Sequence, residues 1–261
     1  MKFSKRSLGQ NFLIDKNIIK KIVNLVKIKN KNIIEIGPGH GALTDEILKR
    51  KPSFVSMIEK DFTLYQNLKL KYSKTKNIKI YNNDILNFDL EKIVKKNSII
   101  FGNLPYNISS QILVKILKFK KWPPYFENLV FMFQKELGEK ITGNYLSANY
   151  GRLSILSNYR LRFIDKFLVS NNCFSPKPKI TSMVILFKPI ENKKFKIKNL
   201  VNLEKITNKF FSNKRKMINK NIQKILKQSE IKMINDLNLS YRPSDLKPET
   251  YYQITELFEK K

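Results

Sequence analysis

The sequence has very few of the residues that carry familiar catalytic and metal chemistry. Among its 261 residues there is one Cys and one His, and only 21 Asp and Glu stand against 51 Lys and Arg. The lone Cys173 cannot form an internal disulfide, which favours a reducing, cytoplasmic setting. With a single His, no catalytic dyad is in view, and we expect no metal.

Long apolar runs are also lacking. The chain has no apolar stretch of about 18 residues, the length that a membrane-spanning helix needs. The basic start, Met1–Arg6, precedes no apolar segment and does not resemble a secretory signal. We therefore expect no membrane partner.

Positive charge is abundant instead. The formal net charge is +30 and the pI is about 10. Such a surplus indicates a polyanionic partner, with nucleic acid favoured over an anionic membrane surface. Lys, Asn and Ile are used heavily along the whole chain, so part of the surplus reflects general composition.

Apolar runs alternate with helical patterns over the first part of the chain. Asp15 is expected to cap a helix that runs to about Lys29. Strands are predicted at residues 32–36, 54–58, 78–81, 98–101, 128–133, 163–169 and 183–187. This alternation predicts an α/β fold with a seven-stranded, mainly parallel sheet. From about Glu191 only helical spacings occur, so we expect an α/β domain over 1–190 and a small helical domain over 191–261.

One stretch, Asn103-Leu104-Pro105-Tyr106, follows the predicted strand 98–101 and precedes a helical pattern. It should lie where a buried strand ends, which is where open α/β sheets bind ligands. An amide, a rigid turn and an aromatic ring together suit a planar base that carries an amino group. An ordinary Asn/Pro turn is the alternative for these four residues alone.

A second ligand-binding pattern lies nearer the N-terminus. The segment Gly37-Pro38-Gly39-His40-Gly41 links a strand to a helix, but its spacing is not that of a phosphate-binding P-loop. Glu59 ends the next strand about 20 residues later, where an acid can bind ribose hydroxyls. Asp84, after the third strand, is placed to accept from an adenine amino group. Together they indicate a pocket for an adenosine without phosphates.

Basic residues are dense in two places. The proline-stiffened loop after Phe174 carries Lys177 and Lys179. A stripe in the C-terminal region contains Lys209, Lys214, Arg215, Lys216, Lys220 and Lys224. Either could bind phosphates, although a charge run is usually a solvated helix face.

These motifs together resemble those of the ribosomal RNA adenine N6-dimethyltransferases, and the small-subunit branch most of all. The resemblance extends from about Lys5 to the C-terminal helices. Its motifs are Leu8-Gly9-Gln10-Asn11-Phe12-Leu13, Ile36-Gly37-Pro38-Gly39-His40-Gly41-Ala42-Leu43-Thr44, Asn103-Leu104-Pro105-Tyr106, Gln134-Lys135-Glu136, Tyr150-Gly151-Arg152-Leu153-Ser154 and Phe174-Ser175-Pro176-Lys177-Pro178. His40 departs from the family's usual small or apolar residue, but the three glycines remain.

The resemblance implies a Rossmann-like class I methyltransferase that uses S-adenosylmethionine. It implies a donor site that comprises Asn11, Leu13, Gly37, Glu59, Asp84 and Asn103. The implied substrate is a pair of adjacent adenines in a hairpin loop near the 3′ end of 16S rRNA, each dimethylated on N6. We expect a monomer that acts on small-subunit rRNA or an immature 30S subunit.

The chemistry also follows from the residue types. The Asn103 side-chain oxygen and the Leu104 carbonyl could each accept an amino hydrogen and so aim the nitrogen lone pair at a methyl donor. Tyr106 and Phe174 are expected to stack on a flipped base, each such contact contributing about 1–3 kcal/mol. Cys173 does not follow a proline, as a pyrimidine-methylating nucleophile usually does, and is expected to be an inert, buried thiol.

Two other functions fit parts of the sequence. A large-subunit rRNA adenine methyltransferase of the macrolide-resistance type would share the Asn103–Tyr106 core. The long basic C-terminal region and the motif that begins at Tyr150 favour the small-subunit enzyme. A ribosome-assembly factor in which methylation is secondary is compatible with the same residues.

Overall fold

The computed structural model describes residues 11–191 and 194–260. Of the N-terminal motif, Leu8, Gly9 and Gln10 lie outside the described residues. The chain divides into two compact units. The first contains the described residues up to Gly138 together with Phe163–Pro189, and the second contains Glu139–Arg162 and the described residues from Ile190 onward.

All seven predicted strands are present and form one sheet in the order β4-β3-β2-β5-β6-β9-β7. Their bounds are β2 Asn32–Ile36, β3 Phe54–Glu59, β4 Ile78–Asn82, β5 Ser98–Asn103, β6 Phe126–Gln134, β7 Leu161–Val169 and β9 Ser182–Pro189. The pairs β4–β3, β3–β2, β2–β5 and β5–β6 are parallel, whereas β6 and β9 are antiparallel. The predicted fold class, an α/β fold with a mainly parallel sheet, is confirmed.

The central strands are apolar because both of their faces are covered. Ile99, Ile100 and Phe101 are consecutive residues of β5, and each is fully buried. The edge strand β7 differs, since most of its side chains are exposed, including Phe163 and Ile164. The helices of this unit are α1 Lys16–Val23, α2 Ala42–Lys49, α3 Phe62–Lys71 and α4 Ser109–Leu117. A further helix, α5 Lys135–Ile141, begins in this unit and continues past its boundary at Gly138.

The helix after Asp15 begins as predicted but ends earlier. The Asp15 carboxylate accepts hydrogen bonds from the amides of Asn17 and Ile18, at 2.8 and 2.9 Å. α1 ends at Val23 rather than near Lys29, because the chain must turn at Asn24 to enter β2. The apolar periodicity continues through this turn and therefore does not mark the helix end.

A two-stranded sheet that the sequence did not predict joins distant segments. β1, Phe12–Leu13, pairs antiparallel with β8, Phe174–Ser175. The Ile14 amide also donates to the Cys173 carbonyl at 2.9 Å. This small sheet fixes the N-terminal motif against the proline-containing loop, so two motifs that are remote in sequence become neighbours.

The second unit is helical, and its helices are α6 Arg152–Arg160, α7 Leu200–Phe211, α8 Asn219–Gln223, α9 Gln228–Ile231 and α10 Pro248–Phe258. One boundary lies near residue 190, close to the predicted position, but the unit also contains Glu139–Arg162. The Tyr252 hydroxyl donates to the Ile155 carbonyl at 3.0 Å, and Ile155 is fully buried. α6 thus packs with helices that follow much later in the chain, which periodicity alone does not reveal.

No helix among the described residues is long and apolar enough to cross a membrane.

Candidate active site

A cavity of about 490 Å³ opens at the carboxyl edge of the parallel strands. The strand order reverses between β2 and β5, and ligands of open α/β sheets bind beside such a reversal. The loops that follow these two strands meet there: a Cβ added to Gly37 would lie 3.7 Å from the Asn103 carbonyl oxygen. The glycine segment and the Asn103–Tyr106 stretch therefore line a single cavity.

Nearly all residues that the sequence assigned to the methyl-donor site and to the adenine site line this cavity. They come from five separate parts of the chain: Asn11, Leu13, Gly37, Glu59, Asp84, Asn103, Leu104, Pro105 and Tyr106. Its volume is in the range of about 300–1,000 Å³ that is usual for small-molecule sites. The fold thus brings together side chains that the sequence separates by up to about ninety residues.

The glycine segment 37–41 is held between two aromatic residues. Gly39 and Gly41 have φ values of +58° and +78°, a region that other residues adopt at a cost. A Cβ on Gly39 would lie 2.9 Å from the Phe12 ring, and a Cβ on Gly41 would clash with the Tyr72 hydroxyl. Phe12 also packs against His40, with 4.3 Å between the ring centroids. Glycine is therefore required at both positions by close packing.

A polar cluster fixes the same segment from the side of α3. We call Asp45, Lys71 and Tyr72 the loop clamp. The Tyr72 hydroxyl donates to the Asp45 carboxylate at 2.8 Å and lies 3.1 Å from the Gly41 carbonyl. Lys71 donates to Asp45 at 2.6 Å and to the His40 carbonyl at 3.0 Å. Because the Tyr72 hydroxyl is buried and faces Asp45, its pKa lies well above the usual range.

Glu59, at the end of β3, is a buried carboxylate that is held by backbone amides. It accepts from Gly39 at 3.2 Å and from Asp61 at 2.8 Å, and it is 6% exposed. Burial raises the pKa of Glu59, and the two amide hydrogen bonds partly oppose that rise. Each carboxylate oxygen has a second lone pair, so the group can also accept from ligand hydroxyls.

Asp84 follows β4 and is more accessible. Its carboxylate lies 2.8 Å from the Lys60 ammonium and accepts from the Leu86 amide at 2.9 Å. Both contacts lower the pKa of Asp84, and the contact with Lys60 has the larger effect. Asp84 is therefore an ionised acceptor at the rim of the cavity.

The end of β5 presents an oriented amide and an anchored ring. The Asn103 side-chain nitrogen donates to the Asn11 backbone carbonyl at 3.1 Å. The side-chain oxygen of Asn103 therefore points away from that carbonyl. Tyr106 is half-buried, and its hydroxyl lies 2.6 Å from the Ser182 hydroxyl. Burial raises the pKa of Tyr106, so the phenol is neutral at physiological pH. Leu104 is buried and is one of the residues that line the cavity.

Phe174 does not lie where the stacking prediction requires. Its side chain is 3% exposed and packs in the core with Leu13 and Cys173, whereas Ser175 lines the cavity. The reason is the strand β8, in which successive side chains point to opposite sides. In this structure Phe174 therefore supports the loop from the core, and its ring is not available to a base.

Glu35 lines the cavity and is not among the residues predicted from the sequence. It lies in β2, is 2% exposed, and its carboxylate accepts from the Thr44 hydroxyl at 2.6 Å. Burial raises the pKa of Glu35 to about 7. A positively charged ligand in the cavity would favour its ionised form. An acid inside an otherwise apolar strand, directly before a glycine segment, was the available signal.

The predicted phosphate-binding residues are exposed within their own units. Lys177 and Lys179 lie in the loop that precedes β9 in the first unit, and Lys214, Arg215 and Lys216 lie in the turn that follows α7 in the second. The latter three thus occupy a turn rather than a helical stripe. Among the described residues, no group of three or more His, Cys, Asp or Glu could hold a metal ion.

Comparison with known proteins identifies the family. The model of the family described as "Ribosomal RNA adenine dimethylase" matches residues 1–260. A protein of Pelagibacter ubique, "Ribosomal RNA small subunit methyltransferase A", is 44% identical over 98% of this chain and 97% of its own length. A protein of the same description from Malacoplasma penetrans is 37% identical over 97% of this chain and 91% of its own length.

Solved structures share the fold. A dimethyladenosine transferase from Plasmodium falciparum has a TM-score of 0.76 and 23% identity, over 95% of this chain and 98% of that one. The 23S rRNA methyltransferase ErmE has a TM-score of 0.70 and 23% identity, over 95% of this chain and 100% of that one. At this level of identity the likeness shows the architecture, and the sequence relatives carry the assignment to a family.

Proposed function

The chain belongs to the ribosomal RNA adenine dimethylase family, and we propose that it transfers methyl groups from S-adenosylmethionine to N6 of two adjacent adenines in the 3′-terminal hairpin loop of 16S rRNA. As a family member with small-subunit relatives, it is an enzyme that dimethylates adenine in small-subunit rRNA. The observation that carries the finer proposal is the single cavity lined by both the glycine segment and Asn103–Tyr106.

The donor end of the cavity fits S-adenosylmethionine. Glu59 and Asp84 would accept from the ribose hydroxyls and the adenine amino group, and the segment at Gly37 allows the backbone to approach. Glu35 would face the positively charged part of the donor. Bound S-adenosylmethionine supplies an electrophilic methyl group on a sulfonium.

The residues at the end of β5 would hold the acceptor. The N6 lone pair of adenine is delocalised into the ring and is a poor nucleophile. The Asn103 side-chain oxygen and the Leu104 carbonyl would each accept one amino hydrogen and so orient the lone pair toward the methyl group. Because the Asn103 side chain is already held by its hydrogen bond to Asn11, it needs little reorganisation to accept the amino hydrogen. As the methyl carbon's bond to sulfur breaks and its bond to N6 forms, N6 would gain a positive charge, which it would lose by releasing a proton to solvent. No strong base is assigned to remove that proton beforehand.

Tyr106 would stack on one face of the flipped adenine. Its ring is positioned by the contact with Ser182, and such stacking contributes about 1–3 kcal/mol. An unpaired loop adenine flips at lower cost than a paired one, since a duplex requires a few kcal/mol for unstacking. Lys177, Lys179 and the turn 214–216 would bind the phosphates.

Mass spectrometry of rRNA after incubation with isotopically labelled donor tests the proposal directly. We expect four labelled methyl groups per molecule, two on each of two neighbouring adenines in the small-subunit loop. Label confined to large-subunit rRNA would contradict it and favour a resistance-type specificity. RNA that is already methylated at these positions serves as the negative control.

We further propose that the natural substrate is an immature 30S subunit in the cytoplasm, and that the enzyme acts as a monomer. The large positive charge suits a particle that presents many phosphates. The protein could serve the subunit by methylating it or by binding it during assembly. A deletion strain complemented with an Asn103→Ala variant separates these two roles. Full rescue of growth by the inactive variant would show that binding, not methylation, is the dominant role.

A further inference from the structure

The edge of the sheet opposite the cavity has an unusual charge distribution. Strands β2, β3, β4, β5 and β6 all run in the same direction. The connections that lead into them therefore lie along one edge, and those that follow them lie along the other. The cavity occupies the second of these edges.

The connections that enter the five strands are strongly basic. They are residues 24–31, 50–53, 72–77, 94–97 and 118–125, and they contain no Asp or Glu. They contain twelve Lys and Arg: Lys27, Lys29, Lys31, Arg50, Lys51, Lys74, Lys76, Lys95, Lys96, Lys118, Lys120 and Lys121. We call these residues the basic edge.

The connections at the cavity edge differ. Residues 37–41, 60–61, 83–89 and 104–108 contain one Lys and three Asp: Lys60, Asp61, Asp84 and Asp89. The loop that enters the antiparallel strand β9 lies at the same edge and adds only Lys177 and Lys179. A uniform excess of Lys would make both edges basic. The separation of charge between the two ends of the same strands therefore argues that the basic edge is more than a consequence of composition.

Most of the charge on the basic edge is exposed to solvent. Lys31 pairs with Glu127 at 2.8 Å, and Arg50 pairs with Glu46 at 3.1 Å. Nine members of the basic edge are exposed: Lys27, Lys29, Lys51, Lys74, Lys76, Lys95, Lys96, Lys120 and Lys121. None of these nine forms an ion pair with another residue that the structure describes. Like charges crowded at an edge repel one another unless an anionic partner neutralises them.

An aromatic residue accompanies this charge. Tyr125, the last residue before β6, is 46% exposed, and the Lys121 ammonium lies 3.5 Å from its ring centroid. Exposed aromatic rings among lysines suit nucleic acid, because unpaired bases stack on the rings while the lysines contact the backbone. Binding to an anionic membrane surface would involve only the positive charge and not the aromatic ring.

We propose that the basic edge binds the sugar–phosphate backbone of a second RNA segment, on the far side of the sheet from the methyl-transfer cavity. The inference rests on the proposed function only in taking RNA as the partner. The strands β2 to β5, each of five or six residues, separate the two edges by about 17–20 Å. A substrate that reaches both edges is therefore larger than the hairpin loop that enters the cavity, as a folded rRNA domain would be.

Binding measurements with the full chain test the basic edge. The variant K29Q/K51Q/K74Q/K96Q removes four exposed charges from it, and K198Q/K205Q/K232Q/K247Q removes four exposed charges from the helical unit as a matched control. The probes are an rRNA fragment of several hundred nucleotides and the isolated hairpin. For the long RNA we expect the slope of log K against log salt to become shallower by about three in the first variant. Hairpin binding should change much less in that variant.

Each other outcome has a distinct meaning. Equal losses in the two variants, or an unchanged slope, would overturn the inference and leave the edge as a solvated surface. Lost binding to vesicles of phosphatidylserine and phosphatidylcholine, with unchanged RNA binding, would overturn it in favour of a membrane. Mapping of the methylated adenines with the unaltered protein is a separate readout, so failure of the proposed function and failure of the basic edge are distinguishable.

Discussion

The side-chain amide nitrogen of Asn103 donates a hydrogen bond across 3.1 Å to the backbone carbonyl of Asn11. This contact joins the N-terminal motif to the end of β5 and fixes which way the amide faces. The segment that follows Asn11 is itself held by pairing with β8. The orientation of the central amide thus depends on three parts of the chain, and this dependence makes the site sensitive to small changes.

Replacing Asn103 with Ala should reduce methyl transfer by at least about 100-fold, because the acceptor nitrogen loses the group that orients it. Donor binding should remain detectable by calorimetry, since Glu59 and Asp84 are unchanged. Asn67→Ala, an exposed site on α3, is the matched control. An active Asn103→Ala enzyme would refute the orienting role.

The Tyr72→Phe variant should weaken donor binding about 3- to 10-fold, the equivalent of one net hydrogen bond, with little change in kcat. The variant removes the hydroxyl that contacts Asp45 and Gly41, which loosens the glycine segment. Tyr65→Phe, in the helix α3 that directly precedes Tyr72, is the control. A fall in kcat with an unchanged donor KM would show that the loop clamp does not act through donor binding.

The buried Glu35 should make the protein less stable as the pH rises from about 4.5 to 7. The unfolded chain loses this proton near pH 4.5, whereas the folded chain keeps it until about pH 7. The folded state therefore binds more protons in this window, and its stability relative to the unfolded state falls by at most about 3 kcal/mol. Urea denaturation at pH 5 and pH 8 measures the change in the free energy of unfolding. The Glu35→Gln variant should lack the part of this pH dependence that Glu35 contributes. The same pH dependence in both proteins would contradict the assignment.

Charge reversal of Lys214, Arg215 and Lys216 to Glu should weaken rRNA binding and flatten its salt dependence by about two to three in slope. The three side chains are exposed in the turn after α7. Filter binding at several salt concentrations measures the slope. Reversal of Lys198, Lys205 and Lys232 provides the control, and equal effects would mean that only net charge matters.

Cys173→Ala should retain methyl transfer at close to the full rate. The thiol is buried, lies 3.9 Å from the Asp15 carboxylate, and has its pKa raised by burial and by that neighbour. It is therefore a poor nucleophile in the folded protein. A thiol reagent should label it only after denaturation, whereas rapid labelling with loss of activity would indicate a reactive role.

The cavity at the carboxyl edge of the sheet was largely predictable, because its position follows from the ends of the strands. Parallel strands place their carboxyl ends at one edge, so a glycine segment after β2, an acid at the end of β3 and an amide at the end of β5 must meet there. Glu59, Asp84 and Asn103 line the cavity for this reason. Glu35 could also have been found, since a lone acid in an apolar strand is itself unusual.

The position of Phe174 could not be predicted in the same way. Its motif indicated an aromatic residue beside the base, but the strand β8 turns that ring into the core and Ser175 toward the cavity. A strand of two residues leaves no periodicity to read. Only the pairing with β1 decides which of two successive side chains faces the cavity.

Taken by itself, the sequence determined the strands, their mainly parallel arrangement and the residues at their ends, because these depend on local periodicity and on chain direction. The tertiary structure alone decided that α6 packs with α7 and α10 and that Tyr72 fixes the glycine segment. Those features join residues that are distant along the chain, and such contacts are set by packing and by strand order, which no local pattern encodes.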